Sequence, residues 1–223
     1  MTDIRPYRPQ ALGMEGPIAR WYARIRGTGP QLAAARAHAA QLTAGLPEGA
    51  RVLEVAPGPG YLAVEMARPG FDITGVDLSA TFVQLATDAA RRAGVEARFL
   101  RADAADLPLP DASVDLVVCQ AAFKNFGRPV AALDEMHRVL RPGGAAVIGD
   151  MNRDATPEDI RREVDRMELG RLNAVLTWIT LSGLRRRAYA ADHFRIAAAA
   201  SAFGTCEVRV DGLSLEIRLR RTA

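Results

Sequence analysis

Residues Arg51 to Ala63, RVLEVAPGPGYLA, carry the clearest binding chemistry in this chain. An apolar run (Val52, Leu53, Val55) with one acid, Glu54, leads into a Pro/Gly turn, and a helix-compatible stretch follows. That pattern reads as strand, tight turn, helix. Glycine in the turn permits positive φ and lets a ligand approach without meeting a Cβ. The helix start beyond it exposes unpaired N–H groups, which favour anionic or polar ligand groups. Gly58-x-Gly60-x-x-Ala63 also fits a dinucleotide fingerprint, with Asp77 near the expected ribose position. A carboxylate there can accept two hydrogen bonds from a diol.

Groups able to move a proton are few. Tyr7, Tyr22, His38 and His193 are the candidates, in no order that the residues decide. His193 follows Asp192 at a helix start and His137 lies inside a helix, positions that suit structural roles. Cys119 and Cys206 make no metal or disulfide spacing with each other or with the three histidines, so no metal is expected. The net charge of +3 rests almost wholly on arginine, and Lys124 is the only lysine. Scattered arginines read as solvated faces, not a nucleic-acid footprint. No apolar run approaches the ~20 residues of a membrane span. The first residues lack the apolar stretch of a signal peptide, so a cytoplasmic address is expected.

The elements that must position these groups follow in order. Leu12 to Ile25 and Gln31 to Ala44 read as helices separated by Gly27-Thr28-Gly29-Pro30, and can fold back over the strand ends. After the glycine turn, Phe71 to Val76, Ala97 to Arg101, Val114 to Cys119 and Ala145 to Gly149 read as strands. Helices over Thr81 to Ala93, with Ser79 as N-cap, and over Pro129 to Leu140 alternate with them, which implies a parallel sheet. Thr156-Pro157-Glu158-Asp159 is a capped helix start. Residues 157–187 then read as two helices where a crossover needs one, and a further helix starts at Asp192. Thr205 to Val210 and Leu213 to Leu219 flank Asp211-Gly212, a two-residue hairpin signal.

This order of motifs resembles the class I S-adenosylmethionine-dependent methyltransferases, nearest the small-molecule branch of quinone-biosynthesis (type 11) enzymes. Asp77 and Arg101-Ala102-Asp103-Ala104, followed by Leu107-Pro108 and Asp111 to Asp115, look like the family's ribose and adenine side. Val139-Leu140-Arg141-Pro142-Gly143-Gly144 looks like its turn before the fifth strand. These features and the terminal hairpin weigh against a nicotinamide cofactor. The resemblance implies an α/β, Rossmann-like seven-stranded sheet of order 3-2-1-4-5-7-6 with strand 7 antiparallel. The implied layout is an N-terminal helical lid at 1–46, a core at 47–150 and 191–223, and an inserted helical cap at 151–190. One departure is Ala56, where the family usually has glycine.

By resemblance, S-adenosylmethionine is the cofactor and S-adenosylhomocysteine the product. Its contacts would be Glu54, Ala56, Gly58, Gly60, Asp77, Leu78, Asp103, Ala104, Gln120 and Ala121. The acceptor would be a small, partly apolar molecule, and oxygen, carbon and nitrogen acceptors are not separated. Tyr7, Trp21, Tyr22, Phe123, Asn125, Phe126 and Trp178 are the candidate substrate contacts; Trp21, Tyr22 and Trp178 equally suit packing. The catalytic residue is unknown, with His193 and Tyr22 as candidates. Cys119-Gln120-Ala121-Ala122-Phe123 lacks the motifs of adenine-amino and cytosine-C5 enzymes, so no nucleic-acid partner is expected; with no long apolar run no membrane partner is expected either, and the chain would be a monomer or homodimer. The alternative is a cofactor-binding regulatory or partner-dependent protein of the same fold.

Overall fold

A computed structural model of the chain describes residues 14–167 and 170–222; Tyr7 and Leu12 lie outside them. The strands are β1 (Arg51–Val55), β2 (Asp72–Asp77), β3 (Ala97–Arg101), β4 (Val114–Gln120), β5 (Leu140–Met151), β6 (Glu207–Asp211) and β7 (Ser214–Arg220). They form one seven-stranded sheet in the order β3-β2-β1-β4-β5-β7-β6. β7 runs antiparallel to both β5 and β6, and the other pairings are parallel. The helices are α1 (Gly16–Arg26), α2 (Gly29–Thr43), α3 (Tyr61–Ala67), α4 (Ala80–Ala93), α5 (Pro129–Val139), α6 (Pro157–Arg166), α7 (Arg171–Arg185) and α8 (Ala191–Ala199). The expected order, the antiparallel strand and the turn at Asp211-Gly212 are all present, with Gly212 at φ +52°.

Alternate side chains of a strand point to opposite faces, and the central strands are apolar on both. Leu53, Val55, Val117, Cys119 and Ile148 therefore join one core with Leu133 and Met136 of α5 and Phe194 of α8. Their neighbours Val52, Ile73, Leu116, Val118 and Val147 join a second core with Ala39 of α2 and Ala63 and Met66 of α3. Gly60 brings the helices of that side together. At φ +77° it starts α3, and a Cβ there would lie 2.6 Å from Ala86 Cβ of α4.

The N-terminal helices are tied down by polar contacts. Glu65, almost wholly buried on α3, accepts from Arg36 of α2 at 2.9 Å and from Arg68 at 3.1 Å. Glu15 crosses the start of α4 and accepts from the Ala80 and Thr81 N–H groups and the Thr81 hydroxyl. Ser79 caps α4 by accepting from Phe82 N–H and donates to the Met14 carbonyl at 2.6 Å.

Several boundaries differ from the sequence reading, and the starts of α1 and β5 shift by four or five residues. α1 starts at Gly16. β5 starts at Leu140, because Arg141 to Gly144 is drawn into the ladder and not left as a turn. Gly143 N–H donates to the Arg221 carbonyl and Arg221 N–H to the Gly144 carbonyl, while a register shift between Val114 and Leu116 absorbs the irregular stretch.

The loop from β3 to β4 hangs on one arginine. Arg138 of α5 donates to both oxygens of Glu135, to Asp111 and to the Leu107 and Leu109 carbonyls. Charge-assisted bonds to a planar guanidinium need that fork, which an ammonium lacks. Arg138→Ala is expected to cost about 2–4 kcal/mol of stability and Arg138→Lys to recover less than half of it, as read by urea unfolding.

Candidate functional site

β1 and β4 are neighbours, yet their chain ends bond away from each other. Ala56 N–H, just past β1, donates to Val76 of β2 at 2.7 Å; Ala121 N–H, just past β4, donates to Gly149 of β5 at 2.7 Å. Both alanines take the left-handed conformation, φ +58° and +56°. Each costs about 1 kcal/mol or more relative to an ordinary conformation, so the rest of the structure must hold them there. The result is a crevice between the two strand ends, the topological switch point at which open α/β sheets take ligands.

Two acids line the β1–β2 side. Glu54 is 2% exposed, and its Oε2 atom has no hydrogen-bond partner. Burial pushes its carboxyl up to about 8; the Ala63 N–H opposes that shift and the Asp77 charge adds to it. Asp77, also buried, accepts from Gly58 N–H at 3.0 Å and from Ser79 N–H at 2.9 Å. One carboxylate thus fastens the glycine loop to the start of α4. Burial raises the Asp77 carboxyl above its ordinary range, and the Ser79 and Gly58 N–H groups act against that. A carboxylate has about four acceptor positions, so two remain for a ligand.

Beyond Asp77, Leu78 is 67% exposed beside the crevice. Asp103, after β3, accepts from Ala105 N–H and from Arg128, leaving acceptor capacity on both oxygens. Ala104 follows it, half-buried. On the β4 side Gln120 lies flat against β5. A Cβ on Gly149 would fall on the Gln120 side-chain amide, so only glycine leaves that side chain its place. Glu54, Ala56, Gly58, Gly60, Asp77, Leu78, Asp103, Ala104, Gln120 and Ala121 therefore all sit at the carboxyl ends of β1 to β4 or in the loops that leave them.

The candidate substrate residues are more dispersed. Trp21 and Tyr22 belong to α1; Trp21 is 60% exposed, and Tyr22 packs edge-on against Phe82 of α4. Phe123 is buried among Phe126, Tyr189 and Phe194, because the single 3-10 turn Phe123–Asn125 points its ring into the core. Asn125 is exposed and Phe126 half-buried. Trp178 lies on α7. His193 accepts from Ala190 N–H at 3.3 Å and so caps α8. His137 stacks edge-on with Phe203. Cys119 is fully buried, and burial pushes its thiol up.

Sequence reasoning missed three residues here. Lys124 bonds Asp150 at 2.8 Å and the Ala121 carbonyl at 2.6 Å, and its own N–H reaches the other Asp150 oxygen. The sole lysine of an arginine-rich chain thereby holds the loop after β4 onto the end of β5. Its singularity was a signal; nothing local marked Asp150 as its partner. Tyr189 carries a buried hydroxyl with no hydrogen-bond partner, and burial and the Asp150 charge push it up. Tyr189, His193, Phe123 and Phe194 pack together under α8 and leave no space that would admit a water molecule.

A buried carboxyl with one unpartnered oxygen, a second acid with spare acceptor positions and a backbone loop open to approach fit a ligand with a diol and cationic groups. Residues 53–148 match the family described as methyltransferase domain. A demethylmenaquinone methyltransferase of Thermus thermophilus is 40% identical over 100 residues, 44% of this chain and 46% of that protein. A 27-O-demethylrifamycin SV methyltransferase of Amycolatopsis mediterranei is 34% identical over 127 residues, 55% of this chain and 47% of that protein. The chain thus spans about half the length of the curated relatives it matches. Among solved structures, a putative S-adenosyl-L-methionine-dependent methyltransferase from Methanococcus maripaludis superposes with a TM-score of 0.72 at 19% identity, covering 97% of this chain and 98% of that one. Residues 53–148 thus match a methyltransferase domain, and the sheet order and switch-point crevice give the chain the fold of the solved S-adenosyl-L-methionine-dependent methyltransferase.

Proposed function

We propose that the chain moves a methyl group from S-adenosylmethionine to a small, partly apolar acceptor by direct in-line transfer, as a cytoplasmic enzyme. The observation that carries this reading is the pair of buried carboxyls, Glu54 and Asp77, at the switch point between β1 and β4. When bound, the cofactor supplies an activated methyl carbon on a sulfonium. The protein's contribution is then to hold, orient and keep out water.

Asp77 is assigned the ribose hydroxyls and Leu78 the apolar face of the adenine. Asp103 would accept from the exocyclic amine while the Ala104 backbone reads a ring nitrogen. Ala56, Gly58 and Gly60 would lie against the methionyl and ribose part, and Gln120 and Ala121 would face the reactive end. Glu54 would offer its free oxygen to the cationic part of the ligand, directly or through the loop. On the acceptor side we assign Tyr189, Phe126 and Asn125, with α1–α2 (within 1–46) as lid and α6–α7 (within 151–190) as cap. Tyr189 is the stronger proton-handling candidate than His193, whose Nδ1 is taken up by the α8 cap. Tyr22 packs on Phe82 and serves to seat α1.

The direct test is transfer of labelled methyl from S-adenosylmethionine across a panel of phenols, quinols and amines. Activity on one class, lowered at least about tenfold by Tyr189→Phe with the Michaelis constant for cofactor unchanged, is the expected outcome. Cofactor binding with no transfer to any class would instead leave a binding protein.

Glu54 gives a pH signature. Its folded-state value of about 8 lies above its ordinary value of 4.5, so the neutral form favours the fold. The stabilisation is complete at low pH and is lost as pH rises through about 8. Glu54→Gln should therefore gain stability relative to the parent between pH 5 and 8, measured by thermal unfolding. A cation bound nearby favours ionised Glu54 instead, so affinity for S-adenosylmethionine should rise by up to about tenfold from neutral pH to above that value. The Gln variant should show a flat profile.

A further inference from the structure

α7 differs from the other helices described: each of them buries at least one residue, and α7 buries none. It packs against α6, and Arg185 at its end donates to the Ala155 carbonyl. On a 3.6-residue repeat Leu172, Val175, Leu176 and Ile179 fall on one face. They are 73%, 57%, 54% and 55% exposed, against the usual fate of apolar side chains at that spacing. Trp178, 39% exposed, flanks them. A continuous apolar face of this kind marks an interaction surface.

Charge selects the occupant. From Gly170 to Ala190 the chain has four arginines, Arg171 and Arg185 to Arg187, and no acid. Arg171 stands at one end of the apolar face, and Arg186 continues the same face at the other. A second copy docked across this face by a two-fold axis would bring arginine ends together, in either helix direction, with no acid in the stretch to meet them. A planar anionic surface answers both features at once. An apolar helix face sinks into the boundary between headgroups and acyl chains while flanking arginines meet lipid phosphates. Trp178 suits the same depth, since indole favours membrane–water boundaries.

We propose that α7 docks in the headgroup boundary of an anionic phospholipid bilayer. A helix lying in that boundary does not span it, and none of the described helices is long and apolar enough to cross. This inference goes beyond the methyl-transfer reading and stands independently of it. The docked face would let the chain meet apolar molecules dissolved in the lipid.

The test is flotation of the full chain with vesicles of phosphatidylcholine containing about one third phosphatidylglycerol, beside vesicles of phosphatidylcholine alone. The expected result is recovery with the anionic vesicles, falling with added salt, and little with the neutral ones. The double variant Leu176→Glu/Ile179→Glu should lower the partition at least about tenfold while keeping its circular dichroism and unfolding midpoint, because both positions are exposed. Arg171→Gln/Arg186→Gln should lower it only for anionic vesicles. No flotation of the parent chain, or equal flotation of parent and Leu176→Glu/Ile179→Glu, overturns the proposal. A parent dimer that does not float and that the double variant splits would assign the face to a second copy instead.

Discussion

The end of β1 can continue its ladder only toward β2, and the end of β4 only toward β5. Ala56 and Ala121 make those last bonds in left-handed backbone, and between them the chain leaves an opening that no strand fills. Each binding element described above depends on that divergence. The glycine loop turns into α3 above it. Asp77 hangs from the far side of β2 and reaches back to Gly58, which joins loop, strand and α4 cap through one carboxylate. Lys124 performs the corresponding task across the crevice by tying Ala121 to Asp150.

The electrostatics run against the composition. The chain as a whole is cationic, yet buried acids line the crevice: Glu54 and Asp77 on one side, with Asp150 matched by Lys124 on the other. Burying an unmatched carboxyl is costly, and Glu54 meets that cost by taking up a proton near neutral pH. Such a group accepts a cationic ligand by releasing the proton, which ties binding to pH without any further residue. Arginines are used elsewhere as struts: Arg138 for the β3–β4 loop, Arg36 and Arg68 around Glu65, and Arg221 on the carbonyls at the end of α5.

The sheet was legible because its signals are local and repetitive. Apolar runs of five to seven residues, separated by capped helices and closed by Asp211-Gly212, leave little choice of topology. The residues proposed to meet the cofactor share that local signal, since each sits at the end of a strand or in the loop that leaves it. Ala56 shows the limit: tertiary context holds an alanine in the left-handed conformation that glycine usually takes. Phe123 reads as a pocket wall by position, but a short 3-10 turn rotates its ring inward to Phe194, some seventy residues away in sequence. The Lys124–Asp150 pair, the Glu15 contact with α4 and the lone Tyr189 hydroxyl are likewise long-range, and no spacing rule reports them. α7 is the opposite case. Its apolar run reads as part of a cap, and the structure leaves those apolar side chains exposed.

The most direct measurement is calorimetric titration of the purified chain with S-adenosylmethionine and S-adenosylhomocysteine, beside NADH, in the parent and in Asp77→Ala. The account predicts micromolar, stoichiometric binding of both sulfur compounds to the parent, no binding of NADH, and at least about a hundredfold loss in the variant. Binding of NADH alone, or binding of the sulfur compounds that Asp77→Ala leaves intact in a folded protein, would contradict it.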